Sequence, residues 1–376
     1  MILGRKYLLL PTPEQQQVFF ANAGVARFAY NRCKALSDRY YRVFKKGLSA
    51  KKLSTYFTKL KKRPSYAWLN KYSADIPKQA VKDFLKARTS SFKRYGNGYH
   101  INFKSKLDNT PSFYADYVKT KVRKGKRVYV SMVGDIATSR QLPTTKKLSN
   151  PRITFDGVNW FLSVGFQQDC KTQDKPTGDV VGIDLGIKDL MVCSNGMVAT
   201  NIAKTKPFAK LVRKQKITQR KMSKRYQKGQ KQQSKGYYKA KKAYRKITTK
   251  ITNITKNHIH QVTTALVKTK PKSIVVEDLS IKNMMKNKKL ANALQKSNLG
   301  FARICLAYKA KKSNIKLVVA DKWFPSSRLC SHCGEKYNNE LQGKKWGLHI
   351  REWQCVHCST HHDRDFNASL NLKSLG

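Results

Sequence analysis

Two pairs of cysteines hold the most specific chemistry in the sequence. Cys330-Ser331-His332-Cys333 and Cys355-Val356-His357-Cys358 are separated by 21 residues. Each C-x-x-C turn aims two thiolates at one point, and two such turns complete a tetrahedral shell for Zn²⁺. His332, His357, His361 and His362 are alternative ligands, but four thiolates are the simpler set. A shell closed by four protein ligands leaves no position for substrate, so the expected role is structural. The remaining cysteines, Cys33, Cys170, Cys193 and Cys305, follow no pairing pattern and are expected to be core or incidental thiols.

The second resource is the carboxylates. There are 21 Asp and Glu against 78 Lys and Arg, so the position of each acid is informative. Asp184 lies inside the apolar run Val180-Val181-Gly182-Ile183-Asp184-Leu185-Gly186, and Glu277 ends Ser273-Ile274-Val275-Val276-Glu277. An unpaired carboxylate in such a strand costs on the order of several kcal/mol. Asp363 and Asp365 open a helix within His362-Asp363-Arg364-Asp365-Phe366-Asn367-Ala368. Taken singly, each acid has an ordinary explanation: a salt bridge for Asp184 and Glu277, a helix cap for Asp363 or Asp365. Two strand-borne acids joined by one at a helix start fit a divalent-metal site better. Two Mg²⁺ ions about 3.5–4 Å apart activate water and stabilise the leaving 3′ oxygen in phosphodiester hydrolysis. This is the arrangement of RNase H-like nucleases.

Several elements must position these groups. Lys6 to Leu10 reads as a strand stopped by Pro11, and Thr12-Pro13-Glu14-Gln15 as a capping box that opens a helix. Val18, Phe19, Val25, Phe28, Ala29 and Cys33 follow on one side of it. A second helix is expected over about 49–63. A third begins near Pro77, with Ala80, Phe84, Ala87 and Ser91 inward and a basic ridge of Lys78, Lys82 and Lys86 beside Gln79. Short alternating runs over about 99–168, with an Asp156-Gly157 turn, predict a small antiparallel β-barrel or sheet joined by the first strand. Residues 169–179, with Lys171 and Lys175, read as a linker. Beyond Val180 the order is strand, hairpin through Asn195-Gly196, helix, strand, helix, strand, which indicates an α/β layered domain. Residues 191–276 carry 23 Lys or Arg and no Asp or Glu. Within them Tyr244, Ile247, Ile251, Ile254, His258, Val262 and Leu266 predict a long helix with one apolar seam.

The net charge of +57 over 376 residues makes a bare globular surface self-repelling unless a polyanion shares it. Basic residues spread over long segments with interleaved Tyr and Phe favour nucleic acid over an anionic membrane. No apolar run approaches the ~20 residues of a membrane span. The start, Met1 to Lys6, lacks the apolar segment of a secretory leader, so a cytoplasmic protein bound to nucleic acid is expected.

Taken together, the landmarks resemble the TnpB family, the transposon-encoded OrfB proteins related to type V CRISPR effectors. They are Lys6 through Gln15, Gly24-Val25-Ala26-Arg27-Phe28-Ala29-Tyr30-Asn31, Gly182 to Gly186, Val276-Glu277-Asp278-Leu279, the four-cysteine element, and Asp363 through Ser369. The resemblance implies an α/β multidomain protein. An RNase H-like (RuvC) nuclease domain would carry an inserted zinc-binding element, and an N-terminal β-barrel (wedge) domain would carry a helical recognition insertion. The implied divisions are 1–12 for the first wedge strand, 13–98 for the recognition helices and 99–178 for the rest of the barrel. Residues 179–325 would form the nuclease domain with a basic helical segment at 204–268, 326–360 the zinc element, and 361–376 the last nuclease segment.

By resemblance the catalytic, Mg²⁺-binding triad falls on Asp184, Glu277 and Asp365, with Asp365 rather than Asp363 as the third acid. The implied activity is RNA-guided cleavage of double-stranded DNA beside a short adjacent motif. The guide RNA would come from the transposon end, and the nucleoid-associated protein would act as a monomer with its RNA. Lys78, Gln79, Lys82 and Lys86 are candidates for DNA contact near the motif. Arg213, Lys214, Arg220, Lys221, Lys224, Arg225, Tyr237 and Tyr238 are candidates for RNA or heteroduplex contact. Rival readings are an RNA-guided repressor that binds without cutting and a guide-independent junction resolvase. A DDE transposase is disfavoured by the GIDLG strand and by the zinc element between the last strand and helix.

Overall fold

A computed structural model describes residues 2–96, 100–106, 110–116, 118–143, 148–167, 176–230, 232–343, 345–347 and 349–376. Cys170 and the expected linker residues through 175 lie outside the described residues. The chain divides into two compact units, Met1–Asp169 and Cys170–Gly376.

In the first unit, β1 (Ile2–Leu10) runs into α1 (Pro13–Phe44), and both bonds of the Thr12/Gln15 capping box are made. α2 (Ala50–Leu60) and α3 (Asp75–Tyr95) follow. Pro77 is the third residue of α3 rather than its first, where a missing N–H still leaves no intrahelical bond unmade. The strands β2 (Ser112–Tyr114), β3 (Lys121–Arg123), β4 (Arg127–Val130), β5 (Gly134–Thr138), β6 (Leu148–Phe155) and β7 (Trp160–Gln167) complete the unit. They pair antiparallel in the order β2-β6-β7-β1-β5-β4-β3, with β1 in the middle. Among the described residues, β2 and β3 are the free edges. The Asp156-Gly157 turn joins β6 to β7, its aspartate accepting from the backbone N–H groups of Val158 and Asn159, with Gly157 at φ +95°. Phe19 of α1 packs its ring against Phe113 and Trp160, fixing the helices to the sheet.

The second unit is built on five strands: β8 (Val181–Asp184), β9 (Asp189–Cys193), β10 (Val198–Thr200), β11 (Ser273–Glu277) and β12 (Lys316–Ala320). Their order is β10-β9-β8-β11-β12. β8, β11 and β12 are parallel, and β9 is antiparallel to both its neighbours. α4 (Lys206–Lys224) and α5 (Lys235–Lys268) separate β10 from β11, while α6 (Ile281–Met284), α7 (Lys288–Ser297) and α8 (Leu299–Lys312) separate β11 from β12. β13 (Glu352–Gln354) pairs with β14 (His361–Asp363), which leads directly into α9 (Arg364–Lys373). No described helix is long and apolar enough to cross a membrane.

The expected seam of α5 is only half-buried over most of its length, and its buried residues are Thr255, Ile259, Thr263, Leu266 and Val267. Among these, Ile259 packs with Leu190, Leu299 and Cys305, Leu266 and Val267 pack with Val181 and Ile274, and a polar contact lies alongside. Lys309 of α8 turns its ammonium onto the His260 carbonyl and the Thr263 and Thr264 hydroxyls at 2.6, 2.6 and 2.7 Å. An apolar pattern cannot register such a lock.

Gly182 is where α9 meets β8. A Cβ there would sit 2.0 Å from the Ser369 carbonyl oxygen and 2.4 Å from the Lys373 nitrogen, both backbone atoms that no rotamer change can move. Gly182→Ala is therefore expected to push α9 off the sheet and cost about 3 kcal/mol or more in urea unfolding. An unchanged midpoint would show that α9 has room to shift.

Candidate functional site

The four cysteines converge. Their sulfurs all lie within 4.8 Å of one another, with Cys330–Cys358 and Cys333–Cys355 each at 3.6 Å. A tetrahedron with metal–sulfur bonds of about 2.3 Å has edges of about 3.8 Å, so the set fits Zn²⁺. Two matching knuckles shape it: Gly334 N–H donates to the Cys330 carbonyl and Ser359 N–H to the Cys355 carbonyl, each at 2.9 Å. Hydrogen bonding with Thr360 pulls the Cys358 thiol down to about 6, whereas burial pushes the Cys330 thiol up and Cys333 is raised to about 12. A bound metal would have to draw those two to thiolates. Buried His362 brings Nε2 to 3.0 Å from Cys330 Sγ and rests against Trp353, holding the first knuckle to β14. Cys33, Cys193 and Cys305 are buried away from this cluster.

Asp184 and Glu277 stand at the carboxyl ends of β8 and β11. Among the described residues the four cysteines are the one group of His, Cys, Asp or Glu whose ligand atoms lie within 4.8 Å of one another, so the three carboxylates are not drawn together as tightly. Ile183 pairs with Val276 in the parallel ladder, so Asp184 and Glu277 leave the sheet side by side. Such ends are where open α/β sheets bind ligands. Asp365 comes from the first turn of α9. The structure separates the two candidate acids of that turn: Asp363 is the N-cap, accepting from Phe366 N–H at 2.8 Å, while the charge of Asp365 acts on Asp184. Burial, then repulsion from Glu277 and Asp365, pushes the Asp184 carboxyl up to about 8, against weaker opposing pulls from Arg364 and Arg351. Among the described residues, Arg351 makes the one ion pair to the trio, at 3.5 Å from Asp365, and neither Asp184 nor Glu277 has a Lys or Arg partner.

Several residues that sequence reasoning passed over hold this arrangement. Ser326 donates its hydroxyl to Glu277. Asn367 and Asn371, one helical turn apart and buried, both donate to the Leu329 carbonyl at 2.7 and 2.6 Å, and Asn371 also donates to that of Ser326. Ser331 N–H donates to Asn367 Oδ1 at 2.9 Å. The base of the cysteine element is thereby bolted to the helix that carries Asp365. Arg364 reaches the other way, donating to the Gly347 carbonyl at 2.7 Å and lying over Trp346. Two asparagines spaced i, i+4 in a short helix were the available signal, because asparagine is a poor interior helix former without such a task.

In magnesium-free buffer the raised Asp184 carboxyl has a signed consequence. Between its ordinary value of 3.8 and about 8 the folded state keeps a proton that the unfolded state has released, so stability falls as pH rises through that window. Asp184→Asn should flatten this decline in thermal melts from pH 5 to 8. Parallel curves for the two proteins would contradict the clustering.

The proposed nucleic-acid residues occupy two surfaces. On α3, Lys78, Lys82 and Lys86 are exposed, with Lys78 3.5 Å from Asp75. Gln79 is half-buried beside them. It donates to Asp83 at 3.1 Å and lines a cleft of about 360 Å³ with Arg27 and Arg152, the latter gripping Asp83 through two bonds of 2.7 and 2.8 Å. In the other unit, Arg213, Lys214, Arg220, Lys221 and Lys224 are exposed on α4, with Arg225 at its C-cap. Gln215 bonds Thr248 at 2.9 Å, tying α4 to α5 as a hairpin. Half-buried Tyr237 stands between exposed Tyr226 and Tyr238 with ring centroids 5.9 and 5.5 Å away.

Comparison with known proteins gives this geometry a family. The family model described as "Probable transposase" (OrfB_IS605) matches residues 162–288, "Cas12f1-like, TNB domain" matches 302–372, and "Helix-turn-helix domain" (HTH_OrfB_IS605) matches 1–46. A Streptomyces pristinaespiralis protein named "Putative RNA-guided DNA endonuclease" is 30% identical over 99% of this chain and 88% of its own length. The chain belongs to the TnpB (OrfB) family. A second relative, "Putative RNA-guided DNA endonuclease InsQ" of Escherichia coli K12, is 24% identical over 99% of this chain and 91% of its own. A Cas12f1 chain solved in an sgRNA–target DNA complex shares the fold at a TM-score of 0.56 and 15% identity, covering 96% of this chain and 83% of that one. The OrfB_IS605 match contains Asp184 and Glu277, and the TNB match contains the four cysteines and Asp365. The TnpB-family segment described as helix-turn-helix is here one strand followed by one 32-residue helix.

Proposed function

We propose that this protein is an RNA-guided DNA endonuclease that hydrolyses phosphodiester bonds at Asp184, Glu277 and Asp365. The observation that carries the reading is the trio itself. In a chain with 78 basic residues, Asp184 and Glu277 stand side by side without a cationic partner among the described residues, and a third acid is added by α9. Two carboxylates set side by side by the sheet register, with a third acid on α9, offer the all-oxygen donor set that suits Mg²⁺. Bound there, a pair of Mg²⁺ ions would supply an activated water and charge stabilisation at the leaving 3′ oxygen. The protein's part is positional. The β8–β11 ladder fixes two carboxylates, α9 adds the third, Ser326 orients Glu277, and Arg351 offsets part of the charge at Asp365.

The sheet order β10-β9-β8-β11-β12, with acids at the ends of β8 and β11, supports an RNase H-like (RuvC) nuclease domain. The antiparallel sheet interrupted by α1–α3 supports a wedge barrel with a recognition insertion. The acid-free α4–α5 hairpin, with its tyrosine cluster, supports binding of guide RNA or its heteroduplex, and the α3 ridge supports DNA contact. Zn²⁺ in the cysteine element would be structural. The protein would act in the cytoplasm, at the nucleoid, as a monomer with its RNA. RNA extracted from purified protein should be one discrete species with a variable end. Plasmids matching that end should be cut in Mg²⁺ only when the RNA is present. Cutting by RNA-free protein would instead favour a resolvase.

A further inference from the structure

Between β12 and the first cysteine knuckle lies a short loop, Asp321-Lys322-Trp323-Phe324-Pro325-Ser326. Both of its ends are tied to Glu277: Ala320 pairs with Glu277 in the β11–β12 ladder, and Ser326 donates its hydroxyl to the same carboxylate. Trp323 is midway, three residues from either end, so its Cα can stand no more than about 11 Å from either anchor. That is a few nucleotides at the ~3.4 Å rise of a stacked strand.

The loop is built to present this side chain outward. Trp323 N–H donates to Asp321 Oδ1 at 2.8 Å, Phe324 N–H to the Asp321 carbonyl at 3.1 Å and Ser326 N–H to the Phe324 carbonyl at 2.9 Å, which fixes a tight turn. Phe324 packs inward with Val275, Ala320 and Leu372, while the Trp323 indole is 80% exposed, the most of any large hydrophobic side chain described. Lys322 holds its ammonium 4.6 Å from the ring centroid, so one face carries a cation and the other remains open. An indole displayed this way forgoes hydrophobic burial that its neighbour Phe324 obtains. A flat aromatic face beside a lysine is what unpaired nucleotides bind: the base stacks and the ammonium meets its phosphate.

We infer that Trp323 is a stacking platform for an unpaired base of the DNA strand being cut, seating that strand against the carboxylates. The inference rests on the nuclease reading above and names a strand-positioning residue for it. Trp323 has no part in metal binding, and its exposure allows substitution without disturbing the core.

The test compares wild type, Trp323→Ala and Trp323→Phe as RNA-loaded protein, with equal melting temperatures as the check on folding. In the first arm, a single-stranded DNA oligonucleotide bearing 2-aminopurine is titrated without Mg²⁺ at high salt, which suppresses phosphate contacts. Trp323→Ala should weaken binding roughly 5- to 150-fold, the range of one lost base–aromatic stack, with Trp323→Phe restoring most of it. In the second arm, single-turnover cleavage of a saturating matched target should slow similarly in Trp323→Ala and recover in Trp323→Phe, while target affinity set by guide pairing stays constant. Equal oligonucleotide binding by all three proteins would overturn the platform, as would equal cleavage rates. If no protein cleaves while Trp323→Ala alone loses oligonucleotide binding, the nuclease reading falls and the stacking surface stands.

Discussion

Asp184→Ala in the RNA-loaded protein is expected to stop cleavage of a matched plasmid, a loss of at least about a thousandfold in single-turnover rate. Binding of the same target, followed by gel shift in the same buffer, should change by less than about threefold. The asymmetry follows from the geometry. The Asp184 carboxyl is raised to about 8 because burial and two like charges oppose its ionisation. Removing it leaves the α3 and α4–α5 surfaces untouched. Asp184→Asn should be equally inactive and, with the repulsion gone, more stable than wild type in the absence of Mg²⁺. Comparable loss of target binding would mean that these acids hold the fold together. Full cleavage by either variant would remove Asp184 from the chemistry.

The second large effect concerns the cysteines. Structural zinc supplies about 10–16 kcal/mol of apparent binding energy in isolated zinc-finger peptides, as much as the whole stability of an ordinary domain. Cys330→Ser or Cys355→Ser should therefore lose the metal, measured as zinc per chain, and lower the melting temperature by about 10 °C or more. Cleavage should fall by at least about tenfold although no cysteine touches the carboxylates. The route is physical: the knuckle base holds α9 through Asn367 and Asn371, and α9 carries Asp365. Exposed Cys333 provides the internal comparison, because its Ser variant should lose zinc with less disruption of packing. A melting temperature indifferent to zinc removal would refute the structural role.

What the sequence made legible is what short-range chemistry encodes. The Thr12/Gln15 capping box, the Asp156-Gly157 and Asn195-Gly196 turns and the paired C-x-x-C knuckles depend on neighbours a few residues away, and all are formed. The apolar strand around Asp184 and the strand ending at Glu277 were readable because buried parallel strands have a distinctive composition. Their side-by-side register was not, since a parallel pairing of Ile183 with Val276 joins residues 93 positions apart. Ser326, Arg351, Arg364 and the two asparagines were unreadable for the same reason. Nothing near Ser326 in sequence indicates that its hydroxyl meets Glu277. The capping role of Asp363 needed the backbone, because either acid of that short motif could have taken it. On α5 the seam pattern found the helix and Leu266, but Thr255, Ile259, Thr263 and Val267 are buried one position further on, and α8 and the sheet cover the last three.

The helix resting on Gly182 has a temporal corollary. Asp365 is translated 181 residues after Asp184, which at about 5–20 residues per second is roughly 10–40 s later. Until the ribosome releases α9, β8 has no cover and the proposed active centre is one acid short. The basic hairpin, by contrast, is already synthesised and available to transcripts nearby. On the proposed reading, a nascent chain would expose its RNA-binding surface well before its third acid is in place, so biosynthetic order itself would set RNA contact ahead of DNA cleavage.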